Sequence, residues 1–145
     1  MHAITHHIPD DMMAAYVAGT LPHPFAMVVA THISLCPDCR ADYGAHQTLG
    51  GAVLQRTENV ALSGSLKSNV MALLDEPVRP EPIYDARDIY PGPVMEALKG
   101  RSPRWKTLGM GVRQSILSAT DTGSVRLLYI PAGQAVPDHS HNGLE

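Results

Sequence analysis

Within eight positions, in the stretch THISLCPDCR (residues 31–40), stand His32, Cys36 and Cys39, and the two cysteines are the only ones in the chain. Residues four apart on a helix share a face, so His32 and Cys36 point the same way. Cys39 follows past Pro37 and can converge on the same point. Imidazole and thiolate together favour zinc, and C-x2-C is a common way to supply two of its four tetrahedral ligands. A redox pair normally follows a strand in a βαβ setting, which is absent here. Buried thiols beside a core histidine are the remaining alternative. A closed site needs a fourth ligand, and His2, His6 and His7 are the early histidines that can supply it. His46 is a rival that reads more simply as a solvated helix residue. A closed four-ligand site is structural rather than catalytic.

The sequence around this cluster has helical periodicity. PDDMMAAYVAGTLP carries acids in its first turn and Gly19 near its end, the start and stop signals of a short helix. In HPFAMVVATHISLC, the residues Phe25, Val28, Val29, His32, Ile33 and Cys36 form one helical stripe. Pro37 breaks that helix and suits the first turn of the next, which contains Gly50 and Gly51. A fourth helix fits SGSLKSNVMALLDE, with Leu66, Val70, Leu73 and Leu74 on one side. Residues 1–76 are therefore expected to form a small four-helix bundle whose modest core needs a staple, and bound zinc would supply folding free energy directly. Met12, Met13, Met27 and Met71 either fill that core or face a partner.

Residues 77–103 carry six prolines and read as a linker of limited order, with a short helical turn around Val94 to Lys99. From 104 the pattern turns to strand, in WKTLGMGVRQSIL and SVRLLYIP, with Trp105 as a core residue. Two or three strands do not make an independently stable sheet, so this β region is expected to be an incomplete domain. Its last stretch, GQAVPDHSHNGLE, reads G-x5-H-x-H-x3-E. On a strand His139 and His141 face one side, and Glu145 can reach the same point after Asn142-Gly143. Two imidazoles and a carboxylate suit zinc, iron, manganese or nickel.

Charge narrows the function classes. Residues 1–76 hold seven acids against three Lys/Arg, and residues 77–145 hold seven against eight. An acidic first half argues against nucleic acid as partner and for a protein. No apolar run has the length of a membrane span, and the N-terminus MHAITHHIPDD lacks the basic and apolar regions of a signal peptide. The expected location is cytoplasmic, where cysteines stay reduced and a structural disulfide is disfavoured.

The early histidine followed by H-x3-C-x2-C, with HHIPDDMMAAYVAGTL, VVATHISLCPDCRA and LLYIPAGQAVPDHSH, resembles the ChrR-type zinc-binding anti-sigma factors over most of the chain. That resemblance implies a zinc-stapled helical domain that wedges between the two main polymerase-binding regions of an extracytoplasmic-function sigma factor and blocks its access to core RNA polymerase. Matching HHIPDD to the family places the fourth ligand at His7, with His6 next door. The motif at His139, His141 and Glu145 is similar to the first motif of the cupin superfamily, which implies a jelly-roll domain and a second divalent metal. A cupin site normally takes a further histidine from a second motif, and the chain stops at Glu145, so this site is expected to be incomplete. In the ChrR-type family the cupin-like domain serves the response to oxidative signals such as singlet oxygen. The competing reading is a metal-dependent cupin enzyme, a dioxygenase or isomerase, with a helical N-terminal extension.

Overall fold

The computed structural model describes residues 4–77 and 80–135. His2, His139, His141 and Glu145 lie outside the described residues, so the second motif is not placed. The order of elements is α1 (Asp10–Val17), α2 (His23–Leu35), α3 (Pro37–Leu54), α4 (Leu66–Leu74), α5 (Gly92–Ala97), β1 (Lys106–Gly109), β2 (Val112–Thr120) and β3 (Gly123–Tyr129).

Helix α1 starts on two acids and stops where Gly19 takes φ +70°, with Gly19 N–H donating to the Tyr16 carbonyl and Thr20 N–H to the Ala15 carbonyl. That is the Schellman arrangement, and glycine adopts its left-handed residue without strain. Cys36 ends α2 and precedes α3 in an extended conformation (φ −101°, ψ 112°), and Pro37 opens α3. Proline's fixed φ suits a first turn, and its missing N–H is one of the unpaired donors of a helix start. Helix α3 runs on through Gly50 and Gly51 to Leu54.

Helices α1, α2 and α3 touch one another. The fourth helix departs from the bundle expected of residues 1–76. Among the described residues α4 contacts no other element and buries none of its side chains. Its apolar stripe is present, but no surface of the described chain covers it. The Pro-rich segment is more ordered than its composition suggests. Arg87 and Tyr90 exchange backbone hydrogen bonds at 2.9 Å each way, and α5 buries Val94 and Met95 to 5% and 4% exposure.

The sheet is antiparallel in the order β1-β2-β3. Met110 and Gly111, both at positive φ, turn β1 into β2, as a two-residue primed hairpin turn requires. A register shift between Ile116 and Ser118 marks a bulge in β2, just after the buried Ser115 and the exposed Ile116. Trp105 is half-buried, packing edge-on to Tyr129 with Arg113 over both rings. The sheet does not stand alone: β2 and β3 lie against α2, and α5 touches both α2 and β2. No helix among the described residues is long and apolar enough to cross a membrane.

Candidate metal centre

Met13, Cys36 and Cys39 form the buried core of the helical region, all at 1% exposure or less, with Ile8, Ile33 and Tyr43 packed around them. Both cysteines are free thiols. The kink at Cys36 is the local device that assembles them. His32 lies one turn before the end of α2, Cys36 sits at the break, and Cys39 lies in the first turn of α3. Arg40 braces the corner between the two helices. Its Nε donates to the Ile33 carbonyl at 3.2 Å and its terminal NH2 to the Ser34 carbonyl at 3.0 Å. A guanidinium there satisfies orphan carbonyls at the end of α2 and sits at the negative end of that helix.

The fourth arm comes from the N-terminal segment. His7 Nδ1 lies 3.4 Å from Cys36 Sγ and 3.6 Å from Cys39 Sγ. The next residue ties the segment down, with Ile8 N–H donating to Cys39 Sγ at 3.4 Å. The ligand atoms of His7, His32, Cys36 and Cys39 all fall within 4.8 Å of one another. His6, by contrast, is exposed, with its Nδ1 3.2 Å from the Thr5 hydroxyl. His46 stands outside the group.

Two observations test whether these residues fit a metal. The His32 Nε2 is buried with no hydrogen-bond partner, which is costly for a polar atom unless something binds it. A tetrahedral zinc with nitrogen at about 2.0 Å and sulfur at about 2.3 Å sets its nitrogen and sulfur ligands about 3.5 Å apart, matching the His7 to cysteine distances. The donor set of two imidazoles and two thiols suits zinc, with every ligand position filled by protein. His7 is exposed and His32 half-buried, while the thiols are fully enclosed, so the centre meets solvent on its histidine side. Burial pushes the Cys39 thiol above its ordinary pKa. The Ile8 N–H works against this, because a hydrogen bond to sulfur favours the thiolate.

Arg40, Ile8 and Tyr43 carry no signal in the motif, because each is defined by how α3 and the N-terminal segment pack against α2. Helical periodicity alone places Tyr43 near Cys39, four residues on.

The anti-sigma-E factor ChrR of Cereibacter sphaeroides is 48% identical over 145 residues, covering 98% of this chain and 68% of that protein. The crystal structure of Rhodobacter sphaeroides SigE in complex with the anti-sigma ChrR matches with a TM-score of 0.82 and 46% identity, over 97% of this chain and 73% of that one. No family model matches the chain.

Proposed function

The chain belongs to the family of the anti-sigma factor ChrR, and from that premise we infer that it binds an extracytoplasmic-function sigma factor and keeps it from core RNA polymerase. The observation in the chain itself that supports this reading is the apolar surface left uncovered by the helical region. On α4, Val70, Met71, Leu73 and Leu74 are 47–69% exposed, and on the far half of α3 Leu49, Val53 and Leu54 are 59–71% exposed. Solvent-facing apolar residues clustered on two helices of one small region mark a surface for a protein partner. An amphipathic helix with no seat in its own chain is suited to lie in a partner's groove. Occlusion of this kind involves no bond making or breaking, and the family supports the regulator reading over a metal-dependent enzyme.

In this reading His7, His32, Cys36 and Cys39 hold one zinc ion. Bound there, zinc supplies cross-linking rather than catalysis, since all four positions are taken by protein. Cys36 and Cys39 fix the α2–α3 corner, His32 contributes its Nε2 from α2, and His7 draws the N-terminal segment over the pair. The core around Met13 is small, so this cross-link supplies much of what keeps α1, α2 and α3 together.

The finer parts of the account follow the family resemblance. Residues 1–76 form the sigma-binding unit, its four-helix arrangement completed when α4 seats on the sigma factor. Residues 77–103 connect it to a cupin-like domain that starts at 104, in which His139, His141 and Glu145 form an incomplete second site that would take a divalent metal once completed. That domain receives an oxidative signal such as singlet oxygen, and the protein works in the cytoplasm. The test is whether the purified chain removes its cognate sigma factor from core polymerase. Undiminished sigma–core complex at excess chain overturns the reading.

A further inference from the structure

Helix α2 has two stripes with the same spacing. Val29, His32, Ile33 and Cys36 form one, at i, i+3, i+4 and i+7, and it carries the His32 and Cys36 donors and the Ile33 that packs against the metal core. His23, Ala26, Met27 and Ala30 form the other, and they line a cleft of about 440 Å³ whose opposite walls are α5 and β2. At roughly 100° per residue the two stripes are set about 120° apart around the helix. One rod is thus the shared wall between the metal centre and the junction with the sheet. At its start the buried Pro24 packs close to Gly123, where β3 begins.

A second connection runs through two tyrosines. Tyr16 lines the cleft, and its ring lies 5.8 Å from that of Tyr43. Tyr43 in turn packs against the Met13, Cys36 and Cys39 cluster. Partial burial and the neighbouring Tyr43 both raise the Tyr16 pKa.

We propose that seating of α5 and the β2–β3 hairpin on α2 tightens the metal centre, and that unseating them loosens it, with α2 and the Tyr16–Tyr43 pair carrying the coupling. The proposal rests on the zinc reading above. Helix α5 is the short element that joins the sheet to the helical region, touching both α2 and β2. It has six residues in a chain rich in proline, held to the helical region through contact with α2 and with Val94 and Met95 buried. Elements of this size open locally at a lower free energy than unfolding of the whole chain. By linkage, any factor by which seating favours metal is the factor by which metal favours seating. A change felt by the sheet thereby reaches the four ligands without touching them.

The experiment measures the rate at which the zinc-loaded full chain gives up metal to excess chromogenic chelator. Val94→Asp buries an unpaired charge under α5 and unseats it. It should speed release at least about fivefold, the low end of ordinary coupling. Met95→Ala is the milder variant for the case that Val94→Asp does not fold, and it should speed release by a smaller factor. Tyr16→Ala should also accelerate release and, by the same linkage, raise hydrogen exchange of α5 in the zinc-loaded chain. As a control, Leu108→Ala changes an exposed residue of β1, which among the described residues touches only β2, and should leave release unaltered. Zinc bound at one per chain, with release from the Val94, Met95 and Tyr16 variants equal to that of the unaltered chain, overturns the coupling and leaves the metal reading intact. An unaltered chain that takes up no zinc overturns both.

Discussion

The backbone N–H of Ile8 points at the sulfur of Cys39, 3.4 Å away and thirty-one residues on in sequence. This contact, with His7 beside it, brings the irregular N-terminal segment to the α2–α3 corner. The segment has no helical hydrogen bonds of its own, so its position depends on what the thiols hold.

The ligand assignment separates two adjacent histidines. His7→Ala should lower zinc affinity by about 100-fold or more, and His6→Ala should change it little, because only His7 faces the sulfurs. Cys36→Ser and Cys39→Ser should each lose zinc and partly unfold the helical region. Metal content and circular dichroism report both effects, and full zinc occupancy in the two cysteine variants would sink the assignment.

Arg40 stabilises the corner without binding metal. Arg40→Ala removes two charge-assisted hydrogen bonds to the end of α2. It should cost about 1–3 kcal/mol in chemical denaturation of the zinc-loaded chain. Arg40→Lys should recover only part of that, since an ammonium lacks the planar fork that reaches two carbonyls. A lysine variant as stable as the original contradicts the bidentate role.

Zinc uptake should release protons. Burial holds the Cys39 thiol above its ordinary pKa, so near neutral pH it is protonated in the metal-free chain and must lose its proton to bind. Affinity should therefore fall as pH is lowered, and isothermal titration in buffers of different ionisation heat measures the protons released. The metal-free fold should show the opposite dependence. A thiol whose pKa is raised on folding binds its proton more tightly in the folded state, so its contribution is present at neutral pH and lost as pH rises through the raised value.

Helix α4 should be dispensable for the free chain and important for the complex. Leu73→Asp changes a 62% exposed residue. It should alter the stability of the isolated chain by no more than about 0.5 kcal/mol. It should weaken sigma binding by about 2 kcal/mol or more if it occupies the centre of the interface. Met13→Ala is the counterpart inside the core and should destabilise the free chain by about 2–5 kcal/mol.

The parts of the fold legible in the sequence are those fixed by short-range chemistry. The spacing of His32, Cys36 and Cys39 and the proline between the thiols suffice to predict the corner, and four helical patterns appear where four helices form. The apolar stripe of α4 was equally legible, but periodicity says that a face wants cover and not whether the same chain supplies it. Proline content suggested a loose linker over 77–103 and hid the burial of Val94 and Met95, which depends on contact with α2 rather than on local propensity. The Arg40 contacts were out of reach for a similar reason. A guanidinium reaching back to Ile33 and Ser34 exists only once the angle between two helices is set. The choice of His7 over His6 came from family resemblance, and the orientation of the two rings gives it a physical basis.

The most direct test is competition for the cognate extracytoplasmic-function sigma factor between core RNA polymerase and this chain, with zinc measured in the same samples. The account predicts that zinc-loaded chain depletes the sigma–core complex at near-stoichiometric ratios, and that Cys36→Ser chain, lacking zinc, does not. A sigma–core complex unaffected by zinc-loaded chain, or depleted equally by the zinc-free variant, contradicts it.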